Sequence, residues 1–171
     1  MRSPTFHRGF SMVEAVAAVG LVGASVLVVM TTASGAIARR EQVQAYSAAS
    51  LLVDEVLGEV GGLAYEDPTV ATTVLGAESG ETISSRSSAD DVDDLAGWVE
   101  TGLRTRRGVE VSRLTTWVRR VTVQWVSATD FVTVQGSESG AKRVTVSVER
   151  GGKTLASGSI LRVKAWEAVT P

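Results

Sequence analysis

Near its start the chain reads Arg8-Gly9-Phe10-Ser11-Met12-Val13-Glu14, and an uncharged apolar segment from Ala15 to Ala38 follows directly. A single carboxylate, that of Glu14, therefore lies at the beginning of an otherwise apolar segment. A carboxylate at the centre of a bilayer costs roughly 2.5–3.5 kcal/mol on insertion scales, and less toward the interface. The sequence predicts a partner or a function for Glu14; the simpler alternative is an ordinary signal anchor that tolerates the acid.

The apolar segment is long enough to cross a bilayer. A transmembrane helix needs about 20 apolar residues at a rise of about 1.5 Å each, and residues 10–38 exceed that length. The leader, residues 1–9, carries two arginines but lacks the apolar core of a secretory signal peptide. Arg39 and Arg40 follow the span and offset the leader's charges, so the positive-inside rule leaves the orientation open.

The short basic leader, the motif Gly9-Phe10-Ser11-Met12-Val13-Glu14 and the apolar run together resemble the processing site of type IV prepilins and type II secretion pseudopilins. The resemblance implies that a prepilin peptidase cleaves between Gly9 and Phe10 and methylates the new amino group of Phe10. It also implies that Glu14 pairs with the amino terminus of a neighbouring subunit during assembly.

The same resemblance implies a fold, a location and a set of partners. The fold is α+β and pilin-like, with a long N-terminal helix packed on a small C-terminal antiparallel sheet. The protein would cross the bacterial inner membrane once, with its outer domain in the periplasm, and then enter a pilus or pseudopilus filament. Its partners would be the prepilin peptidase, other pilin or pseudopilin subunits, the inner-membrane assembly machinery and membrane lipid. No proline interrupts the span, whereas major type IV pilins commonly carry one, so we expect a minor pilin or a pseudopilin.

The composition argues against several other classes of protein. The formal net charge is −2 over 171 residues, which does not suit a nucleic-acid-binding surface, so we expect no nucleic-acid partner. The chain has no cysteine, which excludes disulfides and thiolate metal sites. Its one histidine, His7, would be lost with the leader, and the remainder has no evident pairing of a nucleophile with a base. We therefore expect a protein that is not an enzyme and has no resident cofactor other than, at most, calcium.

After the span, apolar residues recur at spacings of three and four, which predicts one apolar face of a continuing helix. That face comprises Ala45, Ala49, Leu52, Val56, Val60 and Leu63. Gly61-Gly62, followed by Pro68, supply the stop signal. We predict a single spine helix with a transmembrane half at residues 10–38 and an amphipathic half at residues 39–63.

Residues 64–112 are rich in glycine, serine, threonine and acids with little periodicity, which predicts an irregular acidic loop region. Within it the chain reads Asp90-Asp91-Val92-Asp93-Asp94-Leu95-Ala96-Gly97-Trp98. Carboxylates this close together suit Ca²⁺, which takes about six to eight oxygen ligands, although the spacing is not that of an EF-hand. Clustered like charge is also typical of a solvated loop. For Asp90, Asp91, Asp93 and Asp94, a calcium site and an exposed acidic loop both remain open.

The final segment, residues 113–171, predicts an antiparallel β-sheet. Valines alternate with polar residues in 117–126 and again in 142–149, the period of half-buried strands. The sequence Arg150-Gly151-Gly152-Lys153 predicts a hairpin turn into a third strand at residues 154–166. The valine face of this meander needs a cover, and the amphipathic half of the helix is the one available.

Several later segments resemble elements of the minor pilins of the mannose-sensitive haemagglutinin pilus. These segments are residues 63–68, the aspartate-rich stretch through Trp98, residues 119–123 and residues 140–146. Two functions follow as hypotheses. The first is a structural filament subunit, and the alternative is a non-polymerising surface domain on a single-span anchor with a ligand- or calcium-binding loop.

Overall fold

A computed structural model describes residues 11–67, 74–77 and 86–167. Its helices are α1 at Met12–Gly61 and the short α2 at Lys164–Glu167. Its strands are β1 at Val99–Thr101, β2 at Trp117–Trp125, β3 at Ala141–Arg150 and β4 at Lys153–Val163. Two single-turn 3₁₀ helices lie at Arg86–Ser88 and Asp93–Leu95. The chain divides into two compact units, the first ending at Gln44 and the second beginning at Ala45.

The first unit consists, in its described part, of the beginning of α1, and its surface is apolar. The most apolar stretch of α1 has a mean hydropathy of 2.3 over 18 residues, none of them buried. The protein therefore has one N-terminal helix that is long and apolar enough to span a membrane. The predicted continuous helix is confirmed from Met12 onward, and it ends at Gly61, two residues before the predicted Leu63.

The second unit contains a four-stranded antiparallel sheet in the order β1-β2-β3-β4. In its register Val121 lies opposite Val146, and Val123 lies opposite Val144, so the valines of neighbouring strands share one face. The three predicted strands and the α+β class are confirmed. β4 stops at Val163 and the chain continues as α2, so the predicted extension of this strand to residue 166 is wrong.

The prediction of an irregular region over residues 64–112 missed one strand. β1 pairs with β2 through Val99↔Arg120, Glu100↔Arg119 and Thr101↔Val118, which adds a fourth strand at the edge of the sheet. Three residues are too few to display the period of two on which strand prediction depends. The two 3₁₀ turns complete the regular structure among the described residues of this region.

The amphipathic part of α1 covers the valine face of the sheet, as predicted. Ala49, Val53, Val56 and Val60 of α1 belong to one core cluster with the inward valines of β2 and β3. Val53 was missing from the predicted stripe. The approach is close at Gly158 of β4, where a Cβ atom would lie 2.9 Å from Cγ1 of Val53. Glycine at this position lets the helix seat directly on the strand.

Candidate functional site

The predicted processing site is only partly visible. Gly9 and Phe10 lie outside the described residues, so the first site residue that the structure describes is Glu14. Its carboxylate accepts a hydrogen bond from the backbone N–H of Ser11 at 2.9 Å, while the Ser11 hydroxyl oxygen accepts one from the Val13 N–H at 3.3 Å. This reciprocal arrangement is a capping box, which explains why α1 begins at Met12. Glu14 is nonetheless exposed on the helix surface.

The polar side chains within the apolar stretch are satisfied by the helix itself. The hydroxyls of Ser25, Thr31, Thr32 and Ser34 each donate to a backbone carbonyl three or four residues earlier, at 2.6–3.0 Å. A hydroxyl bonded in this way no longer requires water. From Ala15 to Ala38 the surface of α1 can therefore face hydrocarbon without an unpaired hydroxyl.

The aspartate-rich stretch is folded inward. Oδ1 of Asp91 accepts hydrogen bonds from the N–H groups of Asp93 at 2.6 Å and Asp94 at 3.0 Å, which caps the second 3₁₀ turn. Oδ2 of Asp94 accepts from the N–H of Asp90 at 3.1 Å. The backbone is tied to the end of α1, because Val92 donates to the carbonyl of Ala64 at 3.0 Å. We call residues 90–94, held in this way, the aspartate knot.

A buried lysine joins the aspartate knot to the sheet. Nζ of Lys142 lies 2.7 Å from Oδ2 of Asp93 and 2.5 Å from the carbonyl oxygen of Tyr65. The same ammonium group lies 4.0 Å from the centroid of the Tyr65 ring. The Tyr65 hydroxyl in turn donates to Glu138 at 2.7 Å. One hydrogen-bonded chain thus connects the knot, β3 and the loop before β3.

These surroundings change the acidity of three groups. Burial, assisted by the charges of Asp93 and Asp94, raises the pKa of Asp91 to about 6 against the lowering effect of its two N–H donors. Burial and the neighbouring Glu138 carboxylate raise the pKa of Tyr65. Burial acts to raise the pKa of Glu138, but hydrogen bonds from Tyr65 and from the Gly140 N–H, with the charge of Lys142, leave it lowered.

Of the two interpretations of this loop, the exposed acidic loop is wrong for three of its four aspartates. Asp91, Asp93 and Asp94 are buried and only Asp90 is exposed. Within the described ranges, no group of three or more carboxylate or imidazole side chains is arranged to hold a metal ion. One carboxylate oxygen each of Asp91, Asp93 and Asp94 accepts hydrogen bonds from backbone N–H groups or from Lys142.

A second buried charge cluster was not predicted. Arg119 is fully buried, and its guanidinium contacts Glu55 at 3.1 Å and Glu100 at 2.6 Å. Arg86 contacts Glu59 at 2.9 Å and Glu55 at 3.3 Å. Both guanidinium groups lie over the ring of Trp98, at 5.7 and 5.9 Å from its centroid.

The sequence carried a signal for both buried cations. Arg119 alternates in step with the inward valines of β2, and Lys142 alternates in step with those of β3. By the period of two, each should point to the core. A basic residue at an inward position implies a buried acidic partner, and Glu55 of α1 and Asp93 of the aspartate knot are among the acids that contact these two cations.

No protein-family model, curated protein or solved structure matches this chain.

Proposed function

We propose that the protein is a minor pilin or pseudopilin, a structural subunit of a type IV pilus or type II secretion filament that a prepilin peptidase processes after Gly9. The observation that carries the proposal is a coincidence of position. The motif Gly9-Phe10 and the acid Glu14 stand directly before the exposed apolar part of α1.

The apolar surface supports insertion in a membrane and then contact with neighbouring helices. Its hydroxyls are bonded within the helix, so transfer of residues 15–38 into lipid leaves no unpaired hydroxyl, and Glu14 is the charged side chain at their start. The capping bond to Ser11 uses one of its carboxylate oxygens and supplies no charge. A positive group from another subunit would offset the remaining cost, and the methylated amino group of Phe10 on a neighbour is such a group.

The second unit supports a structural role for the outer domain. Its buried side chains form one apolar core and two charge clusters, and the buried cations Arg119 and Lys142 each contact an acid from within the unit. The partners of such a protein would be the peptidase, other subunits, the inner-membrane assembly machinery and lipid. The protein would reside in the inner membrane with this unit in the periplasm before assembly.

Processing provides the test. Mass spectrometry of the protein from its native host should find N-methyl-Phe10 at the amino terminus. Gly9→Val should leave the precursor uncut, because a branched side chain blocks a peptidase pocket that accepts glycine. Gly20→Val is the matched control, since a Cβ atom there meets nothing within 4 Å, and it should be cut normally.

An intact Met1 on the mature protein would overturn the proposal. It would favour the alternative, a non-polymerising surface domain on a single-span anchor with a ligand- or calcium-binding loop.

A further inference from the structure

The charges of the second unit are sorted between its two ends. β2 starts and β3 finishes at one end, since Trp117 lies opposite Arg150, and the β3–β4 turn brings Lys153 to 5.9 Å from the ring centroid of Tyr46. α1 finishes at the other end, where Arg162 donates to the carbonyls of Gly61 and Leu63. About 16 residues of helix separate these ends, or roughly 25 Å at 1.5 Å per residue.

The first of these, the basic end, carries an exposed arginine-rich hairpin. The hairpin turns at Thr105–Gly108 and returns through a bridge between Arg104 and Glu110. The exposed cations of the basic end are Arg104, Arg106, Arg107, Arg113, Arg150 and Lys153. Acids that reach solvent also lie among these six cations, including the exposed Glu110 and the half-buried Glu149, which pairs with Arg120. Val109 of the hairpin is 63% exposed.

The other end of the second unit, the acidic end, carries an excess of negative charge. Around the aspartate knot and the 126–140 loop, the described residues supply nine carboxylates against four cations. The acids that reach solvent there are Glu66, Asp90, Asp130, Glu138 and Glu167. Ion pairs with Lys164 and Arg162 cover Glu66 and Glu167, and the excess remains negative.

The acidic end also exposes apolar side chains on a loop that hydrogen bonds hold in place. Val132 and Val134 are 68% and 54% exposed, and Phe131 adopts a positive φ of 55°. Asp130 holds the loop by accepting from the N–H groups of Val132 and Thr133 and from the Thr133 hydroxyl, at 2.5–3.0 Å. Arg143 donates to the Phe131 and Val132 carbonyls. A strained backbone fixed by this many bonds is a pre-organised contact surface.

We propose that the acidic end of one copy docks on the basic end of a second copy of this chain. Each end combines exposed apolar side chains with an excess of one charge, features that protein interfaces use, and the two ends have opposite signs. Two like ends would repel each other, so the contact is head-to-tail. A head-to-tail contact that does not close into a ring repeats along an open filament. This inference rests on the proposed function, because it names the partner within such a filament.

Disulfide trapping tests the contact, and the chain's lack of cysteine makes introduced pairs unambiguous. Ser112→Cys marks the basic end and Ala128→Cys marks the acidic end, both at exposed positions. The full-length chain is used in detergent micelles. A mixture of the two variants should form a crosslinked dimer on oxidation, whereas either variant alone should form several-fold less. The double variant should form a ladder of oligomers.

Charge variants and salt test whether the crosslinks arise from a specific contact between the two ends or from random collision. The pair R106Q/R107Q should reduce the mixed-dimer yield several-fold, while T122E/S159E, which changes the net charge equally on the exposed face of the sheet, should not. Raising the salt concentration should also lower the yield, because the Debye length falls from about 10 Å at about 0.1 M to about 3 Å at about 1 M.

Dimers of Ser112→Cys alone that equal the mixed yield would overturn the head-to-tail contact. So would a yield that neither R106Q/R107Q nor salt alters, or anionic vesicles that bind the hairpin and leave Ala128→Cys uncrosslinked. None of these results depends on cleavage, because the precursor and the processed chain carry the same second unit. Failure of the docking contact is therefore distinguishable from failure of processing at Gly9.

Discussion

Asp91 should make the folded second unit less stable as the pH rises from about 4 to about 7. Its carboxyl is fully buried, and Oδ2 has no hydrogen-bond partner among the described residues. Burial beside Asp93 and Asp94 raises its pKa from 3.8 to about 6. A raised pKa means that the folded state holds the proton more tightly, so the stabilisation is complete below the unfolded pKa and is lost as the pH passes the folded one.

The size of the effect follows from the shift. About two pKa units correspond to about 3 kcal/mol of the free energy of unfolding, as an order of magnitude. Asp130, whose pKa is lowered to about 2 mainly by its hydrogen bond from Thr133, acts in the opposite direction and in a lower window, below the ordinary carboxyl pKa. Glu138, whose pKa is also lowered, likewise loses its contribution on acidification. Any Asp91 variant keeps Asp130 and Glu138, so comparing such a variant with the wild type isolates the contribution of Asp91.

Asp91→Asn tests this directly. Asparagine keeps the Oδ1 acceptor for the Asp93 and Asp94 N–H groups but cannot become charged. The variant should be more stable than the wild type at pH 7, by up to about 3 kcal/mol, and nearly equal to it at pH 4. Asp90→Asn, the same change at the exposed member of the knot, should stay within about 0.5 kcal/mol at both pH values.

Urea unfolding of the full chain in mild detergent gives the measurement. All four tryptophans lie in the second unit, so their fluorescence reports its unfolding alone. The reasoning fails if Asp91→Asn is less stable than the wild type at pH 7, or if the difference between them is the same at pH 4 and pH 7.

Two further predictions concern α1. Gly158→Ala should lower the free energy of unfolding by about 1–3 kcal/mol through overpacking, because its Cβ would lie 2.9 Å from Val53. The control Gly136→Ala, whose Cβ would have nothing within 4 Å, should be near neutral. Equal urea midpoints for the two variants would contradict the close packing of α1 on β4. Glu14→Gln keeps the capping bond to Ser11 but removes the charge. Its incorporation into filaments should therefore fall as far as that of Glu14→Leu, while membrane insertion persists. Normal filament levels of Glu14→Gln would show that Glu14 acts only as a helix cap.

Most of the main elements were predictable because they have a strong local signal. The apolar run and the three-four spacing beyond it predicted α1, the alternating valines predicted β2 and β3, and the Gly151-Gly152 turn predicted β4. The short β1 has no such signal, since pairing with β2 rather than its own pattern defines it. Secondary structure is thus predictable from the sequence where the element has its own local signal. It is not predictable where pairing with a neighbouring strand defines the element.

The aspartate knot shows the same limit at the level of a site. Four aspartates in five residues predict strong repulsion, which a bound cation or water would reduce. Backbone N–H groups and one ammonium group offset part of this repulsion, and Lys142 lies 49 residues beyond Asp93 along the chain. Local sequence supplies the charges, but only the fold supplies their partners. The alternation of inward and outward residues along β3 was the one clue that Lys142 points inward.

Arg119 and Lys142 have a consequence beyond stability. Buried ion pairs often contribute little net free energy, because desolvation offsets their attraction, but they can fix one arrangement among several. Arg119 holds Glu55 of α1, Glu100 of β1 and the carbonyl of Arg104, where the basic hairpin begins. Lys142 holds Asp93 of the knot and the carbonyl of Tyr65, whose hydroxyl bonds Glu138 beside the apolar loop. Arg119 therefore anchors the segment that carries the basic end, and Lys142 anchors the segment that carries the acidic end. The two fully buried cations thus position the two surfaces that we propose to be in contact.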